Sequence, residues 1–359
     1  MQFELDADQE LLARSVEQIL TRSSGQDRWA ELTAAGILGG TEAMIVMEAI
    51  GRVLADEPYL SCVLLAGNAL LEAGGHDELL GRLTAGECRL TLAHSEPQSW
   101  YDLADVVSAT RKDGESWILN GVKIAVLDAG SADVLLVSAR AAGERSAVDP
   151  GLARADGRAD ERGVTLFAVD RGAPGVSVEL RTGPDGRSAG NFTLRDVRVP
   201  DSARVGAVGD GVRIVRAAVD KAIAGACAEA VGAMSRLLDI TVEHLKTRRQ
   251  FGAPIGSFQA LQHRAADMLC ELEQARSMAL YAALMCSDPD TRVRRSAIAA
   301  AKIQVSAAAR FVGQQAIQLH GGMGMSEEYP AGRYFKRLTL FERLFGDENH
   351  FLREIDLHE

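Results

Sequence analysis

Cysteine and histidine clusters at metal-ligand spacing are absent from this 359-residue sequence. No C-x-x-C pair occurs, and no cysteine has a nearby histidine at the spacing of a zinc site. A scattered, odd set of cysteines is typical of reduced thiols in the core rather than of a disulfide framework. The sequence therefore predicts no metal site, and we expect Cys227 and Cys270 on buried helix faces. The five cysteines are Cys62, Cys88, Cys227, Cys270 and Cys286.

A surplus of basic charge and long apolar runs are also absent. Lys and Arg number 39 against 50 Asp and Glu, so the net charge is -11, which argues against a phosphate-binding nucleic-acid surface. No uncharged run approaches the ~20 residues that a membrane span requires. The segment from Met1 to Asp6 is acidic and has no apolar core, so it does not have the features of a signal peptide. We expect a cytoplasmic protein that binds neither nucleic acid nor a membrane.

Common nucleotide-binding and hydrolase motifs are missing as well. No G-x-G-x-x-G sequence follows a strand-like segment, and neither a P-loop nor a Ser-His-Asp arrangement is recognisable. The segments do not alternate as βαβ units do, which argues against a Rossmann dehydrogenase.

The first 90 residues have the periodicity of helices. Asp8 is predicted to cap the first helix. The apolar face of that helix carries Leu11, Leu12, Val16, Ile19 and Leu20. A second helix is expected near 42–54, and residues 60–70 are apolar enough to be buried. The glycine pairs 39–40 and 74–75 separate these elements.

Short runs of β-branched residues follow from about Arg89. The predicted strands are 105–109, 116–119, 134–137, 164–169, 176–180 and 192–199. Turns are expected at Asp113-Gly114, Asn120-Gly121 and Pro174-Gly175. This pattern indicates a compact antiparallel β domain, in which residues 141–163 form an exposed loop.

Helical spacing returns from about Gly211 and continues. Asp288-Pro289 marks a break between two long helices. The order of helices, then strands, then helices predicts an α+β fold with domains at 1–90, 91–205 and 206–359.

Two stretches of this last region are distinctive. The first runs from Arg248 to Gln259 and reads RRQFGAPIGSFQ, and the second runs from Gln318 to Gly324 and reads QLHGGMG. An arginine at a helix end binds a pyrophosphate bidentately, and Gly321-Gly322 leaves room for a phosphate or ribose beside the backbone. The alternative is that Arg248 pairs with a surface acid and the glycines only form a turn. His320 within the second stretch is expected to pack or hydrogen-bond rather than to act as a base.

Together these stretches resemble the C-terminal signatures of the acyl-CoA dehydrogenase family. Segments 51–55 and 196–200 support the resemblance, which covers nearly the whole chain. It implies an N-terminal helical domain, a middle antiparallel β domain and a C-terminal four-helix bundle, with FAD as cofactor. It also implies an acyl-CoA thioester as substrate and an electron-transfer acceptor. In the family, the residues that match this chain's cofactor positions contact the FAD of a neighbouring subunit, which implies an oligomer. These positions are Arg248, Gln250, Phe251, Phe258, Gln318 and Gly322, and Gly321 is predicted to bind the cofactor with them.

The sequence departs from the family at the catalytic base. The reaction removes an α-proton and a β-hydride, so it needs a carboxylate at the α-carbon. The family's usual base lies sixteen residues after the tyrosine matched by Tyr329, where this chain has Phe345. The other place used in the family is matched by Ala222, and neither side chain accepts a proton. The nearby carboxylates are Glu342, Asp347 and Glu348, of which Asp347 follows the Gly346 turn most closely.

The segments that resemble the family's own flavin cradle are altered too. Residues 95–102 read SEPQSWYD, and the place of a flavin-stacking tryptophan is taken by Ala125. Leu127 offers no side-chain hydrogen bond, and Trp100 and Tyr101 are expected to crowd the thioester channel. A family arginine is matched by Ile223.

Residues that would serve the chain's own flavin are thus changed, whereas those that reach a neighbour's flavin are kept. This division resembles the partner subunit of heteromeric α2β2 acyl-CoA dehydrogenases, such as those of sterol side-chain β-oxidation. Two alternatives remain open. One is a self-sufficient FAD-dependent dehydrogenase with Asp347 or Glu342 as a relocated base, and the other is a non-redox acyl-CoA-binding or scaffold protein.

Overall fold

The computed structural model describes residues 6–22, 26–34, 39–141 and 161–356. They form two compact units, described here separately. The bundle unit takes its described residues from 1–28, 39–57 and 223–359, and the sheet unit takes them from 29–38 and 58–222. Within the described residues, no helix is both long and apolar enough to cross a membrane.

The helices follow the predicted layout. They are α1 (Ala7–Arg22), α2 (Gln26–Ala34), α3 (Gly40–Val53), α4 (Asn68–Ala73), α5 (Asp77–Thr84), α6 (Gly211–Thr247), α7 (Gln259–Met285), α8 (Thr291–His320), α9 (Pro330–Phe341) and α10 (Glu348–Asp356). A π-helical segment, Tyr59–Gly67, precedes α4 and is wholly buried, which confirms the expected burial of residues 60–70. The break predicted at Asp288-Pro289 lies between α7 and α8.

The predicted cap of α1 is wrong by two residues. The Oδ1 atom of Asp6, not Asp8, accepts hydrogen bonds from the amides of Asp8 and Gln9, at 3.0 and 2.9 Å. Leu11, which is predicted on the apolar face, is 64% exposed, whereas Val16 and Leu20 are buried. Because the helix starts at residue 7, Asp8 lies in its first turn. A carboxylate there still interacts favourably with the positive end of the helix dipole.

The sheet unit is built on one eight-stranded sheet. Its strands are β1 (Leu90–Ala93), β2 (Ala109–Asp113), β3 (Ser116–Leu127), β4 (Val134–Ala141), β5 (Val164–Asp170), β6 (Val176–Thr182), β7 (Ser188–Pro200) and β8 (Arg204–Val205). Their order is β6-β7-β3-β2-β4-β5-β8, and β1 also pairs with β4. The buried side chains between them include Trp117 and Phe167, whose ring centroids are 5.4 Å apart.

Most neighbouring strands are antiparallel, as expected, but two pairs are not. Both β1 and β2 run parallel to β4, one beside each half of its edge. The four residues of β1 and the middle of β4 are buried, and strands buried on both faces are typical of parallel pairing. The sheet is therefore mixed.

Two local predictions in the sheet unit are wrong. The strand predicted at 105–109 begins only at Ala109, because the amides of Val107 and Ser108 donate hydrogen bonds to the Glu96 carboxylate instead of to a neighbouring strand. Asn120-Gly121 is no turn but lies inside β3, at a register shift against β7. A Cβ atom on Gly121 would lie 2.1 Å from the Ser108 hydroxyl, so glycine is needed for this close approach.

Other local predictions have a clear outcome. The turn at Asp113-Gly114 joins β2 to β3, and Pro174-Gly175 forms the turn before β6. Cys227 is buried as expected, but Cys270 is exposed on α7, so its core assignment is wrong. Residues 142–160 of the predicted loop lie outside the described residues. The three-domain division remains a prediction.

Candidate functional site

The first distinctive stretch lies at the end of α6 in the bundle unit. The helix ends at Thr247, and the Arg248 amide donates to the His244 carbonyl at 2.9 Å. A short hairpin follows, in which Arg249 and Gln250 pair with Pro254 and Ala253. Phe251 and Gly252 form its tip with φ values of 53° and 81°. Two-residue hairpin turns with both central residues at positive φ match the twist of the strands, although a phenylalanine there is strained.

This hairpin is folded back onto the start of α7. The Ile255 amide donates to the Arg248 carbonyl at 2.8 Å, and the rings of Phe251 and Phe258 meet edge to face with centroids 6.1 Å apart. Gly256 allows the chain to cross α6 closely, because an added Cβ would lie 2.9 Å from the Leu245 carbonyl oxygen. Phe251 is 92% exposed and Phe258 is 38% exposed, so the aromatic pair faces outwards.

The second stretch lies at the end of α8. Gly321, with φ 59°, follows the helix, and its amide donates to the carbonyls of Ile317 and Gln318. Glycine is favoured at such a helix end because it adopts positive φ without strain. A 3₁₀ turn (Gly321–Met325) continues the chain, and Gln318, Gly321 and Gly322 are exposed.

Stacked aromatic rings bring the two stretches together. The rings of His244, one turn before Arg248, and His320 have centroids 4.6 Å apart. Tyr329 covers both, at 6.4 Å from His244 and 5.0 Å from His320. The Nδ1 atom of His320 lies 2.8 Å from the Ala316 carbonyl oxygen. Burial lowers the pKa of both histidines, and for His244 the neighbouring His320 and Arg248 lower it further. Sequence reasoning missed His244, although its position four residues before Arg248 was a usable signal.

We name the residues Arg248, Gln250, Phe251, Phe258, Gln318, Gly321 and Gly322 the cofactor edge. Within the described part of the chain, no carboxylate forms an ion pair with Arg248, so the surface-acid alternative finds no support there. The edge thus offers an exposed guanidinium, exposed ring faces and glycine backbone. These groups suit the pyrophosphate and adenosine parts of a dinucleotide approaching from outside this unit.

The bundle unit places no side chain that accepts a proton at the family's usual base position. Phe345 lies in the bend after α9 with φ 63°. The Oε2 atom of Glu342 accepts from Arg310 at 2.8 and 3.0 Å, and Glu348 lies 3.7 Å from the same guanidinium. The Oδ1 atom of Asp347 accepts from the His350 amide at 2.9 Å and so caps α10. All three neighbouring carboxylates thus have structural partners.

The second base position and the cradle-like segments lie in the sheet unit. Ala222 is fully buried. The Ala125 amide donates to the Asn191 side chain at 3.1 Å, and the Leu127 carbonyl accepts from Thr91 at 2.7 Å. Trp100 is 84% exposed, and crowding of a thioester channel by Trp100 and Tyr101 remains a prediction.

A buried ionic network occupies the segment that begins at Ser95. The side chains of Glu96 and Lys123 are fully buried and form an ion pair at 2.6 Å. Lys123 Nζ also donates to the Ser138 hydroxyl at 2.9 Å, and His94 Nδ1 lies 2.9 Å from the same oxygen. Burial lowers the pKa of His94 to about 3, helped by the positive charge of Lys123. The network fixes β3 and β4 to this segment, and sequence reasoning did not find it.

Comparison with known families agrees with this fold. The description "Acyl-CoA dehydrogenase, middle domain" matches residues 91–197, and "Acyl-CoA dehydrogenase, C-terminal domain" matches residues 209–356. The chain belongs to the acyl-CoA dehydrogenase family, whose members are oxidoreductases with FAD as cofactor. Within the described residues, no group of three or more His, Cys, Asp or Glu side chains is placed to hold a metal ion.

Individual relatives extend the comparison. The chain is 30% identical over 262 residues to human mitochondrial short-chain specific acyl-CoA dehydrogenase, covering 72% of this chain and 60% of the relative. It is 30% identical over 314 residues to acryloyl-CoA reductase (NADH) of Anaerotignum propionicum, which covers 85% of this chain and 76% of that relative. It superposes on the structure of the Tcur3481-Tcur3483 steroid ACAD G363A variant with a TM-score of 0.81 and 28% identity. The superposition covers 98% of this chain and 97% of the other.

Proposed function

We propose that this chain is the subunit that completes the FAD site of a second acyl-CoA dehydrogenase chain in a heteromeric enzyme. The observation that carries the proposal is the contrast within the bundle unit. The cofactor edge is intact and exposed, whereas the family's base position holds Phe345. A chain of this kind contributes cofactor contacts to its partner and leaves proton abstraction to a carboxylate of the partner.

Each group of the cofactor edge has a distinct part in holding FAD. Arg248 would neutralise the pyrophosphate with paired hydrogen bonds, since a guanidinium matches phosphate oxygens in geometry. Phe251 and Phe258 would cover an aromatic ring of the cofactor, and Gln318 would donate and accept hydrogen bonds. Gly321 and Gly322 keep the backbone accessible. When bound, FAD supplies the acceptor for the β-hydride.

The substrate and partners follow from the same proposal. The substrate would be an acyl-CoA thioester that is desaturated between the α and β carbons, and a separate electron acceptor would serve the complex. The likeness to a two-component steroid acyl-CoA dehydrogenase supports an α2β2 assembly acting on a bulky, sterol-derived acyl group.

The flavin content of the purified chain tests this proposal. The full chain is purified alone and after co-expression with an acyl-CoA dehydrogenase encoded beside it, and flavin absorbance is measured per polypeptide. We expect a flavin-poor chain alone and about one FAD per heterodimer in the complex. One tightly bound FAD per chain without a partner would contradict the proposal.

A variant pair makes the test specific to the cofactor edge. Arg248→Gln should weaken FAD binding by the complex at least about tenfold, because a charge-assisted bidentate contact is lost. Arg82→Gln, at an exposed position of α5 in the sheet unit, is the matched control and should bind FAD normally. Gel filtration must show an intact heteromer for both variants. Unchanged FAD affinity in Arg248→Gln would exclude a cofactor role for the edge.

A further inference from the structure

Three packed rings connect the two halves of the cofactor edge within the bundle unit. His244 and His320 are 8% and 5% exposed, and Tyr329 is half-buried. The His320 ring centroid lies 4.6 Å from that of His244 and 5.0 Å from that of Tyr329. Closely packed side chains keep one rotamer, so each ring limits the movement of the backbone that carries it. We name these three residues the three-ring stack.

One end of the three-ring stack is continuous with Arg248. His244 lies in the last turn of α6, four residues before Arg248, and its carbonyl accepts a hydrogen bond from the Arg248 amide at 2.9 Å. The Arg248 carbonyl accepts in turn from the Ile255 amide at 2.8 Å, which ties the hairpin to the same turn. A shift of the His244 ring would therefore move the backbone from which the guanidinium extends.

The other end of the three-ring stack is continuous with the glycine turn. His320 is the last residue of α8, directly before Gly321, and its Nδ1 atom lies 2.8 Å from the Ala316 carbonyl oxygen. The 3₁₀ turn folds back closely on this residue, because a Cβ atom on Gly324 would lie 3.0 Å from the His320 Cβ atom. Tyr329 follows that turn and covers both imidazoles. The position of the glycine backbone thus depends on the same ring packing.

We propose that the three-ring stack positions the FAD contacts, because it sets the distance between the Arg248 guanidinium and the glycine backbone of the cofactor edge. The inference rests on the proposed function and assigns three further residues that act on the cofactor through the edge. A bound group is held firmly only when its contacts are fixed to within about 0.5 Å by packed neighbours. Arg248 and Gly321 are exposed, so the packed rings of the stack supply that order.

The FAD affinity of the co-expressed complex tests the inference, measured by flavin fluorescence as the complex is diluted. His244→Ala removes a ring and should weaken FAD binding by about tenfold, whereas His244→Phe keeps a ring in the stack and should stay within about twofold of wild type. The control His263→Ala, at an exposed position of α7, should bind FAD normally. Equal losses in His244→Ala and His244→Phe, or no loss in either, would overturn the inference.

A second pair of variants covers a failure to assemble. Gel filtration must show an intact heteromer for each variant. If His244→Ala does not assemble, Tyr329→Ala should show the loss of FAD affinity, and Tyr329→Phe, which keeps the ring, should restore it. Wild-type affinity in an assembled Tyr329→Ala complex would then overturn the inference.

A double variant shows whether the three-ring stack acts through Arg248. If it does, His244→Ala combined with Arg248→Gln should bind FAD no more weakly than Arg248→Gln alone, because the same contact cannot be lost twice. Losses that multiply would overturn the inference and leave the proposed function standing. Wild-type FAD affinity in Arg248→Gln itself would overturn the proposed function and the inference with it.

Discussion

The imidazole rings of His244 and His320 lie 4.6 Å apart, with 33° between their planes. One ring belongs to the last turn of α6 and the other to the last residue of α8. This contact holds the turn that carries Arg248 next to the turn that carries Gly321 and Gly322. The two halves of the cofactor edge are therefore positioned by buried side chains that do not belong to the edge.

The first prediction concerns the pH dependence of this stack. Burial lowers the pKa of both histidines, so the unfolded chain binds protons more readily than the folded chain. The stack's contribution is therefore fully present above the ordinary histidine pKa of about 6.5 and is lost as the pH falls through the lowered folded values. Urea unfolding between pH 7.5 and 5 should show this loss of unfolding free energy. In His244→Phe, the unfolding free energy should change less steeply with pH.

A matched variant separates this effect from general acid sensitivity. His263→Gln changes an exposed histidine of α7, and its unfolding free energy should follow the wild-type pH dependence. Equal slopes for His244→Phe and wild type would contradict a titrating stack.

The second prediction concerns the buried ion pair of the sheet unit. Burial alone would raise the pKa of Glu96, but Lys123 holds it below its usual value, so the carboxylate remains charged. Lys123→Met should then cost about 3–5 kcal/mol of unfolding free energy, because an unpaired charge is left buried. The double variant Glu96→Gln, Lys123→Met should cost less than the single variant. A double variant at least as unstable as Lys123→Met would show that the unpaired charge of Glu96 is not the cause of the destabilisation.

An exposed lysine provides the control for that experiment. Lys112 lies 3.9 Å from Asp201 with more than half of its side chain exposed. Because exposed pairs contribute little, Lys112→Met should change the unfolding free energy by less than about 1 kcal/mol.

Sequence patterns predicted most of the features that depend on neighbours along the chain, although the cap of α1 is Asp6 rather than the predicted Asp8. Helical spacing, the buried segment 60–70 and the two distinctive stretches are all local signals. The features that sequence reasoning missed join distant positions. His244 meets His320, Lys123 meets Glu96, and β1 runs parallel to β4 only because the chain returns to the same edge. Asn120-Gly121 shows the same limit, since its glycine serves a close approach to Ser108 rather than a turn.

The third prediction concerns the carboxylates beside Phe345. Asp347 caps α10, so Asp347→Ala should lower the unfolding free energy by about 1 kcal/mol, whereas Asp347→Asn keeps a capping oxygen and should cost less. Under the proposed function, neither Asp347→Asn nor Glu342→Gln should change the acyl-CoA dehydrogenase activity of the complex. A large loss of kcat in Asp347→Asn with an intact fold would instead favour a relocated base.

The fourth prediction concerns the crossing of α3 and α6 within the bundle unit. A Cβ atom on Gly51 would lie 2.0 Å from the Glu229 carbonyl oxygen, and one on Gly232 would lie 2.0 Å from that of Glu48. Each is a contact with backbone, which cannot rotate away. Gly51→Ala and Gly232→Ala should therefore each cost about 3 kcal/mol or more of unfolding free energy, since the two helices must move apart.

Gly81 in α5 provides the matched control, because an added Cβ there meets nothing within 4 Å. In that open position, alanine should raise the unfolding free energy by about 0.5–1 kcal/mol through its better helix propensity. Urea unfolding of all three variants tests this prediction. Glycine-to-alanine substitution should lower the unfolding free energy at Gly51 and Gly232 and raise it at Gly81. If Gly232→Ala were as stable as Gly81→Ala, the inference that α3 and α6 pack closely at these glycines would be wrong.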